Sequence, residues 1–160
     1  MIKDKNSVLV IAAHPDDEVL GCGGTIAKLS KKGIKVNILF ISNGVDSRDQ
    51  KNVKTKKKIL ERKKAAKLSS NILGAKKLAF ADLSDNKLDK YPLLKIVKII
   101  EKYIKKLKPK TVYTHFDNDL NIDHQIVNKA VITATRPQKK SSVKNIFFFE
   151  IPSSTEWKID

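Results

Sequence analysis

Five short apolar segments recur along the chain, and each is followed by polar or small residues. They predict β-strands at residues 7–13, 35–41, 76–80, 111–114 and 145–151. The first of them, SVLVIAA, is apolar without interruption apart from its opening serine. Such runs are typical of strands that are buried on both faces of a parallel sheet. The pattern therefore favours a sheet that is covered on both sides.

Between these segments the apolar residues take helical spacing, and they predict helices at about residues 17–32, 53–73, 92–107 and 123–135. Gly33 and Gly74 follow the first two helices, where a left-handed cap often ends a helix. Strands that alternate with helices imply right-handed crossovers. We therefore expect one α/β domain over residues 1–160, Rossmann-like and doubly wound. Its mostly parallel sheet should have the order of about 3-2-1-4-5, with helices on both faces.

Two polar segments follow the first and fourth predicted strands, and together they hold all the histidines of the chain. They read AHPDDE at residues 13–18 and YTHFDNDLNIDH at residues 113–124. In the expected sheet these strands are neighbours, so both segments open into one crevice at the carboxyl edge. Two histidines and one carboxylate with an open position make a catalytic zinc site. Helix capping is the alternative for the acidic residues, but it gives no reason for His14.

Composition and charge narrow the classes of function. The net charge is +16, but the lysines are scattered without a nucleic-acid motif, so we expect a solvated surface and no nucleic-acid partner. The run from Lys54 to Lys58, with Lys51 before it, is dense enough to contact an anionic substrate or headgroup. No apolar run is long enough to span a membrane. The single cysteine, Cys22, indicates a reducing compartment, and we expect the cytoplasm.

The glycine-rich segment around Cys22 raises a rival interpretation, a dinucleotide-binding domain. Gly21, Gly23 and Gly24 lack the spacing of a dinucleotide-binding loop, and no acidic residue ends the second strand. Close packing of a helix explains the glycines better. Cys22 could act as a nucleophile, but a small residue in such a segment more often packs.

The motifs resemble those of the LmbE-like and PIG-L-like N-deacetylases, and the resemblance runs along nearly the whole chain. It rests on AHPDDE at residues 13–18, on Arg62, and on THFDNDLNIDH at residues 114–124. It continues through TATRP at residues 133–137 and EIPSSTEW at residues 150–157. The resemblance implies a hydrolase that removes the N-acetyl group from an N-acetylglucosamine-type sugar conjugate. An amidase acting on another conjugate and a non-catalytic, lysine-rich module that binds glycans or polyanions are the alternatives.

The resemblance also implies roles for individual residues. His14, Asp17 and His124 would bind Zn²⁺, although such a site also accepts Fe²⁺. Asp16 would be the general base, which takes a proton from water and passes it to the leaving amine. Asn121 stands where many members of the family have an assisting histidine.

Asn121 can donate a hydrogen bond but cannot carry a proton. Either stabilisation of the oxyanion is therefore sufficient, or His115 takes over the part of the family histidine's role that Asn121 cannot perform. Asp123 is expected to orient an imidazole or to cap a helix, and Glu18 to lie behind the site or at a helix start.

Substrate contacts are expected from Arg62, by resemblance, and from polar residues in the loops after the second and third strands. The loop residues are Asn43, Gly44, Asp82, Asp85 and Asn86. Members of the family usually continue beyond the SSTEW segment, so Ser153 to Glu156 would border an incomplete pocket if this chain is a fragment. Such a fragment would expose Phe147, Phe148 and Phe149 and could form homo-oligomers.

Overall fold

The computed structural model describes residues 7–48, 53–139 and 141–155. It contains one sheet of five parallel strands in the order β3-β2-β1-β4-β5, which confirms the predicted fold class. The strands are β1 (Ser7–Ala12), β2 (Lys35–Ser42), β3 (Lys77–Leu83), β4 (Thr111–His115) and β5 (Asn145–Phe149).

Helices cover both faces of this sheet. The four long ones are α1 (Asp17–Lys31), α2 (Val53–Leu73), α3 (Leu93–Leu107) and α4 (Ile122–Ala134), and a short α5 (Pro152–Thr155) follows β5. A 3₁₀ turn spans Leu88–Lys90. Within the described ranges, none of these helices is both long and apolar enough to cross a membrane.

Two strands end more than one residue away from the predicted position. β5 ends at Phe149 instead of residue 151, because the Ile151 carbonyl accepts hydrogen bonds from the amides of Ser154 and Thr155 and the chain turns into α5. β3 continues to Leu83, past an irregularity in its pairing with β2. Asp82 therefore lies in a strand rather than in the predicted loop, and its φ of 57° belongs to this irregularity.

Two apolar cores flank the sheet, one on each face, because successive strand residues point to opposite sides. On one face Leu9 and Ile11 of β1 pack with residues of α3 and α4. On the other face Val8 and Val10 pack with residues of α1 and α2. All six residues of β1 are buried, as the uninterrupted apolar run predicted.

The central position of β1 determines where a site can form. β1 pairs with β2 on one side and with β4 on the other, with Val10 opposite Tyr113. The segments that follow β1 and β4 therefore leave the sheet side by side at its carboxyl edge. This is the point where the strand order reverses, and ligands bind there in doubly wound sheets.

β5 packs closely on α1 at one position. Phe149 is buried against Gly21, whereas Phe147 and Phe148 are 49% and 48% exposed. The expected exposure of phenylalanines is thus wrong for Phe149 and correct for the other two. A Cβ atom at Gly21 would lie 2.3 Å from the Phe149 ring, so the contact requires glycine.

We predict that Gly21→Ala lowers the free energy of unfolding by about 1–3 kcal/mol, because the added methyl group overlaps a buried ring. Gly24→Ala is the matched control in the same helix, since a Cβ atom at Gly24 would have nothing within 4 Å. The control should be neutral or stabilising by up to about 1 kcal/mol, because alanine favours helix. Urea unfolding of both variants measures this difference, and equal effects would contradict the packing argument.

Candidate metal centre

Three side chains from two elements converge at the carboxyl edge of the sheet. The Nδ1 atom of His14 lies 3.2 Å from Oδ2 of Asp17 and 3.2 Å from Nε2 of His124. Nε2 of His124 lies 3.4 Å from Oδ2 of Asp17. All three residues are buried. Their donor atoms therefore face one common point, as expected of ligands to a single cation.

A tight turn after β1 places two of these residues together. The backbone amides of Asp16 and Asp17 both donate to the His14 carbonyl, at 3.0 and 3.3 Å. The turn brings Asp17 beneath His14, and the His14 amide donates to Oδ2 of Asp17 at 2.8 Å. The acidic residues of this segment thus do not cap α1 with their side chains.

The other nitrogen of His14 is held by carboxylates. Its Nε2 lies 3.0 Å from Oδ1 of Asp85 and 3.2 Å from Oδ2 of Asp123. Asp123 also accepts the backbone amides of Asn86, at 2.8 Å, and Leu88, at 3.1 Å. A carboxylate on one ring nitrogen orients a histidine and leaves the other nitrogen for a metal. This contact agrees with the imidazole-orienting role expected for Asp123.

His124 has an equivalent partner, which is Asp119. Oδ2 of Asp119 lies 2.8 Å from Nδ1 of His124, and Oδ1 of Asp119 accepts the backbone amide of Asn121 at 2.8 Å. Nε2 of His124 is therefore the nitrogen that faces the common point. Asp119 received no role from the sequence, whereas Asp85 was expected to contact substrate from the loop after the third strand. The sequence feature that could have identified Asp119 is its position five residues before His124, within the same motif.

The buried charges at this centre favour a cation. Burial opposes charge on His14 and His124, but hydrogen bonds and charges of the surrounding aspartates raise the pKa of both imidazoles above the ordinary value. Burial acts likewise against charge on Asp17, yet the three histidines lower the pKa of its carboxyl group well below the usual range. A site that stabilises protonated imidazoles also suits a divalent ion. Two imidazoles and one carboxylate fit Zn²⁺ or Fe²⁺.

His115 lies beneath the centre and does not line the cleft. Its Nε2 atom accepts the Ala13 backbone amide at 2.9 Å, and its ring stacks on His124 with centroids 3.9 Å apart. Burial lowers the pKa of His115 to about 4. The expectation that His115 could assist at the substrate therefore fails, because the fully buried ring has no access to it.

Asn121 lines the cleft beside the metal ligands. Its side-chain oxygen caps α4 by accepting the Asp123 amide at 2.9 Å. Since the oxygen is engaged in the cap, the amide nitrogen is the part of Asn121 that can donate to a ligand.

Asp16 stands at the mouth of the cleft, where Arg62 contacts it. Nη1 of Arg62 lies 2.7 Å from Oδ2 of Asp16, and both side chains are partly exposed. Arg62 reaches the mouth of the cleft from α2, and its contact with substrate stays a prediction. Its partner in this structure is the candidate base.

Of the predicted loop residues, Gly44, Asp85 and Asn86 line the metal cleft, which has a volume of about 330 Å³. Asn43 and Asp82 line a neighbouring cavity of about 300 Å³ instead. Oδ1 of Asn43 accepts the amides of Val45 and Asp46, which shapes the loop after β2. Asp82 forms an ion pair with Lys63 at 2.6 Å. Neither residue lines the metal cleft, and their contact with a substrate stays a prediction.

Glu18 packs between α1 and α2, and its nearest hydrogen-bond donor is Ser69, at 3.5 Å. Burial, together with the charges of Asp17 and Asp16, raises the pKa of Glu18 to about 7. Glu18 therefore lies in the interface of α1 and α2, at the start of α1.

The remaining wall of the cleft comes from α1, from the loop after β2 and from the segment around α5. These residues are Leu20, Gly44, Ile151, Ser153 and Ser154. Of the other positions named from the sequence, Lys54, Lys56, Lys57 and Lys58 are exposed at the start of α2. Lys51, Glu156 and Trp157 lie outside the described residues.

Fold and site together define a doubly wound α/β protein with a candidate His–Asp–His metal centre at the carboxyl edge of its sheet. The chain belongs to the PIG-L family, described as GlcNAc-PI de-N-acetylase, whose model matches residues 9–135. Family membership confirms the resemblance drawn from the AHPDDE and DLNIDH motifs.

Individual proteins agree with this assignment. The chain is 28% identical over 155 residues to the uncharacterized deacetylase YaiS of Escherichia coli, covering 94% of this chain and 76% of YaiS. It is 28% identical to the solved N,N'-diacetylchitobiose deacetylase from Pyrococcus horikoshii, with a TM-score of 0.73, over 81% of this chain but 49% of that one.

A second solved structure is named for a different reaction. GalB, the 4-carboxy-2-hydroxymuconate hydratase from Pseudomonas putida, is 25% identical with a TM-score of 0.70, covering 97% of this chain and 70% of GalB. Fold alone therefore does not decide the reaction.

We predict that Cys22 resists alkylation in the native protein. Burial and the nearby Glu18 raise the pKa of its thiol to about 12, and the thiolate is the reactive form. Iodoacetamide at mildly alkaline pH, followed by intact-mass measurement, should modify urea-unfolded protein and leave folded protein unmodified. Rapid labelling of the folded protein would show that the thiol is accessible.

Proposed function

We propose that this chain is a metal-dependent hydrolase that removes the N-acetyl group from an N-acetylglucosamine-type sugar conjugate. The convergence of His14, Asp17 and His124 on one point, with Asp16 beside them at the cleft mouth, carries the proposal. Membership of a de-N-acetylase family supports the reaction type. Similarity to a diacetylchitobiose deacetylase supports the substrate class.

His14, Asp17 and His124 would hold the cation. When bound, it supplies a Lewis acid that lowers the pKa of water to about 7 and stabilises the oxyanion of the attacked amide. Asp16 takes a proton from the attacking water and passes it to the amide nitrogen as the carbon–nitrogen bond breaks. The side-chain amide of Asn121 donates a hydrogen bond to the oxyanion. The products are acetate and the free amino sugar.

The walls of the cleft suit a hydroxyl-rich ligand. Asn86 and Asn121 present amides on two sides, and Leu20 and Ile151 provide apolar surface for a sugar ring or its N-acetyl methyl group. The volume of about 330 Å³ matches a ligand of monosaccharide size. Arg62, at the mouth, would meet the group attached to the sugar.

Experiments can distinguish two alternative functions from this one. An amidase acting on another conjugate would use the same centre, so a panel of acyl groups on one sugar separates it from a deacetylase. A non-catalytic polyanion-binding module would instead bind through surface lysines. It predicts salt-sensitive binding that survives His14→Ala and His124→Ala.

We predict that Asp16→Asn lowers the rate of acetate release from N-acetylglucosamine conjugates by about 100-fold or more, because the amide cannot accept the proton. Metal binding should persist, since Asp16 is not among the three converging residues. Asp117→Asn is the control, because Asp117 is an exposed carboxylate in the loop after β4. An undiminished rate in the Asp16 variant would remove its role as base.

We also predict that a chelator abolishes the activity, and that stoichiometric Zn²⁺ or Fe²⁺ restores it. Metal analysis of the purified protein should give one ion per chain, and His14→Ala or His124→Ala should reduce this content because each supplies a ligand atom. Full activity in metal-free protein would exclude the proposed mechanism.

A further inference from the structure

α5 is joined to the metal centre by a hydrogen bond. The Ser154 hydroxyl donates to Oδ2 of Asp119 at 3.0 Å, and the same oxygen lies 2.8 Å from Nδ1 of His124. The backbone reinforces the connection, because the Leu120 amide donates to the Ser154 carbonyl at 3.3 Å. A residue of the cleft wall therefore reaches a candidate metal ligand through one carboxylate.

Asp119 is buried and needs several donors. Its Oδ1 atom receives the Asn121 amide, and its Oδ2 atom receives the His124 ring and the Ser154 hydroxyl. A buried carboxylate with fixed donors on both oxygens has one orientation, whereas the loss of a donor leaves part of its charge uncompensated. Ser154 thus supplies the side-chain donor that comes from outside the motif of residues 114–124.

The Ser154 hydroxyl has one proton and two acceptors. Asp119 accepts at 3.0 Å, and the Ile151 carbonyl of the preceding helical turn lies at 3.2 Å. A hydrogen bond to an ionised carboxylate is about twice as strong as one to a neutral carbonyl. The proton therefore belongs to the contact with Asp119.

We propose that Ser154 is a positioning residue, which fixes Asp119 and through it the orientation of His124 toward the cation. The proposal rests on one part of the proposed function, which is the binding of a cation at this centre. It does not depend on which amide is cleaved. Ser154 itself touches no ligand atom of the centre.

The test compares the affinity of Zn²⁺ for variants of the intact chain by competition with a chelator. Ser154→Ala should bind Zn²⁺ about 10-fold more weakly, since loss of an outer partner typically costs 10- to 100-fold in metal affinity. Ser154→Thr keeps the hydroxyl and should stay within about twofold of the parent protein.

Thr155→Ala is the matched control. The Thr155 hydroxyl also donates to the Ile151 carbonyl, at 3.0 Å, and this bond lies within the helical turn rather than on Asp119. Its removal weakens the same turn without touching the centre, so the Zn²⁺ affinity should not change. Equal losses in the Thr155 and Ser154 variants would assign the effect to the turn and overturn the proposal.

A spectroscopic measurement tests the orientation directly, because the chain has three histidines. In Zn²⁺-loaded protein labelled with ¹⁵N-histidine, the Nδ1 proton of His124 should exchange faster with solvent in Ser154→Ala than in the parent. An unchanged exchange rate together with unchanged affinity would overturn the proposal. If affinity and exchange change as expected while no deacetylation is found, the proposed function fails and the positioning role stands.

Discussion

The burial of four aspartates around the candidate metal centre is the constraint on which the rest of the site depends. Asp17, Asp85, Asp119 and Asp123 are each at most 6% exposed. A buried carboxylate costs several kcal/mol unless it is paired and hydrogen-bonded. Backbone amides and imidazoles supply that compensation. The lysines, which give the chain its net charge of +16, are not among the hydrogen-bond partners described above for these four carboxylates. A cation at the common point of His14, Asp17 and His124 would complete the balance of charge.

This compensation also connects distant parts of the chain. Asp123 binds the amides of Asn86 and Leu88 as well as the His14 ring, so the start of α4 holds the loop after β3 against the loop after β1. These loops lie 35 or more residues apart from α4 in sequence. The geometry of the centre is thus a product of the whole sheet, because it exists only when β1 and β4 are neighbours.

The sequence allowed prediction of the features that local patterns encode. Apolar periodicity predicted all five strands and the four long helices, and the two motifs brought His14, Asp17 and His124 together. Contacts across the fold could not be read in this way. Nothing local distinguishes Asp85, which meets His14, from Asp82, which meets Lys63. The one difference is an irregularity in the pairing of β3 with β2, and that depends on tertiary packing. For the same reason the hydrogen bond of Ser154 to Asp119, across 35 residues, had no signal.

The chemistry of the centre is decided by what surrounds the donors, since GalB shares this fold and catalyses hydration. A hydration and an amide hydrolysis both need an activated water, but only the hydrolysis must also protonate a leaving amine. In the hydrolysis, a group beside the cleft takes the proton from water and returns it to the amine, whereas in a hydration the returned proton goes to carbon. In the proposed mechanism Asp16 is this group, because it stands at the mouth of the cleft, outside the three converging donors, and contacts Arg62 at 2.7 Å. His115 is sealed beneath the centre, and Asn121 cannot carry a proton. In the proposed hydrolysis, proton transfer is therefore assigned to Asp16.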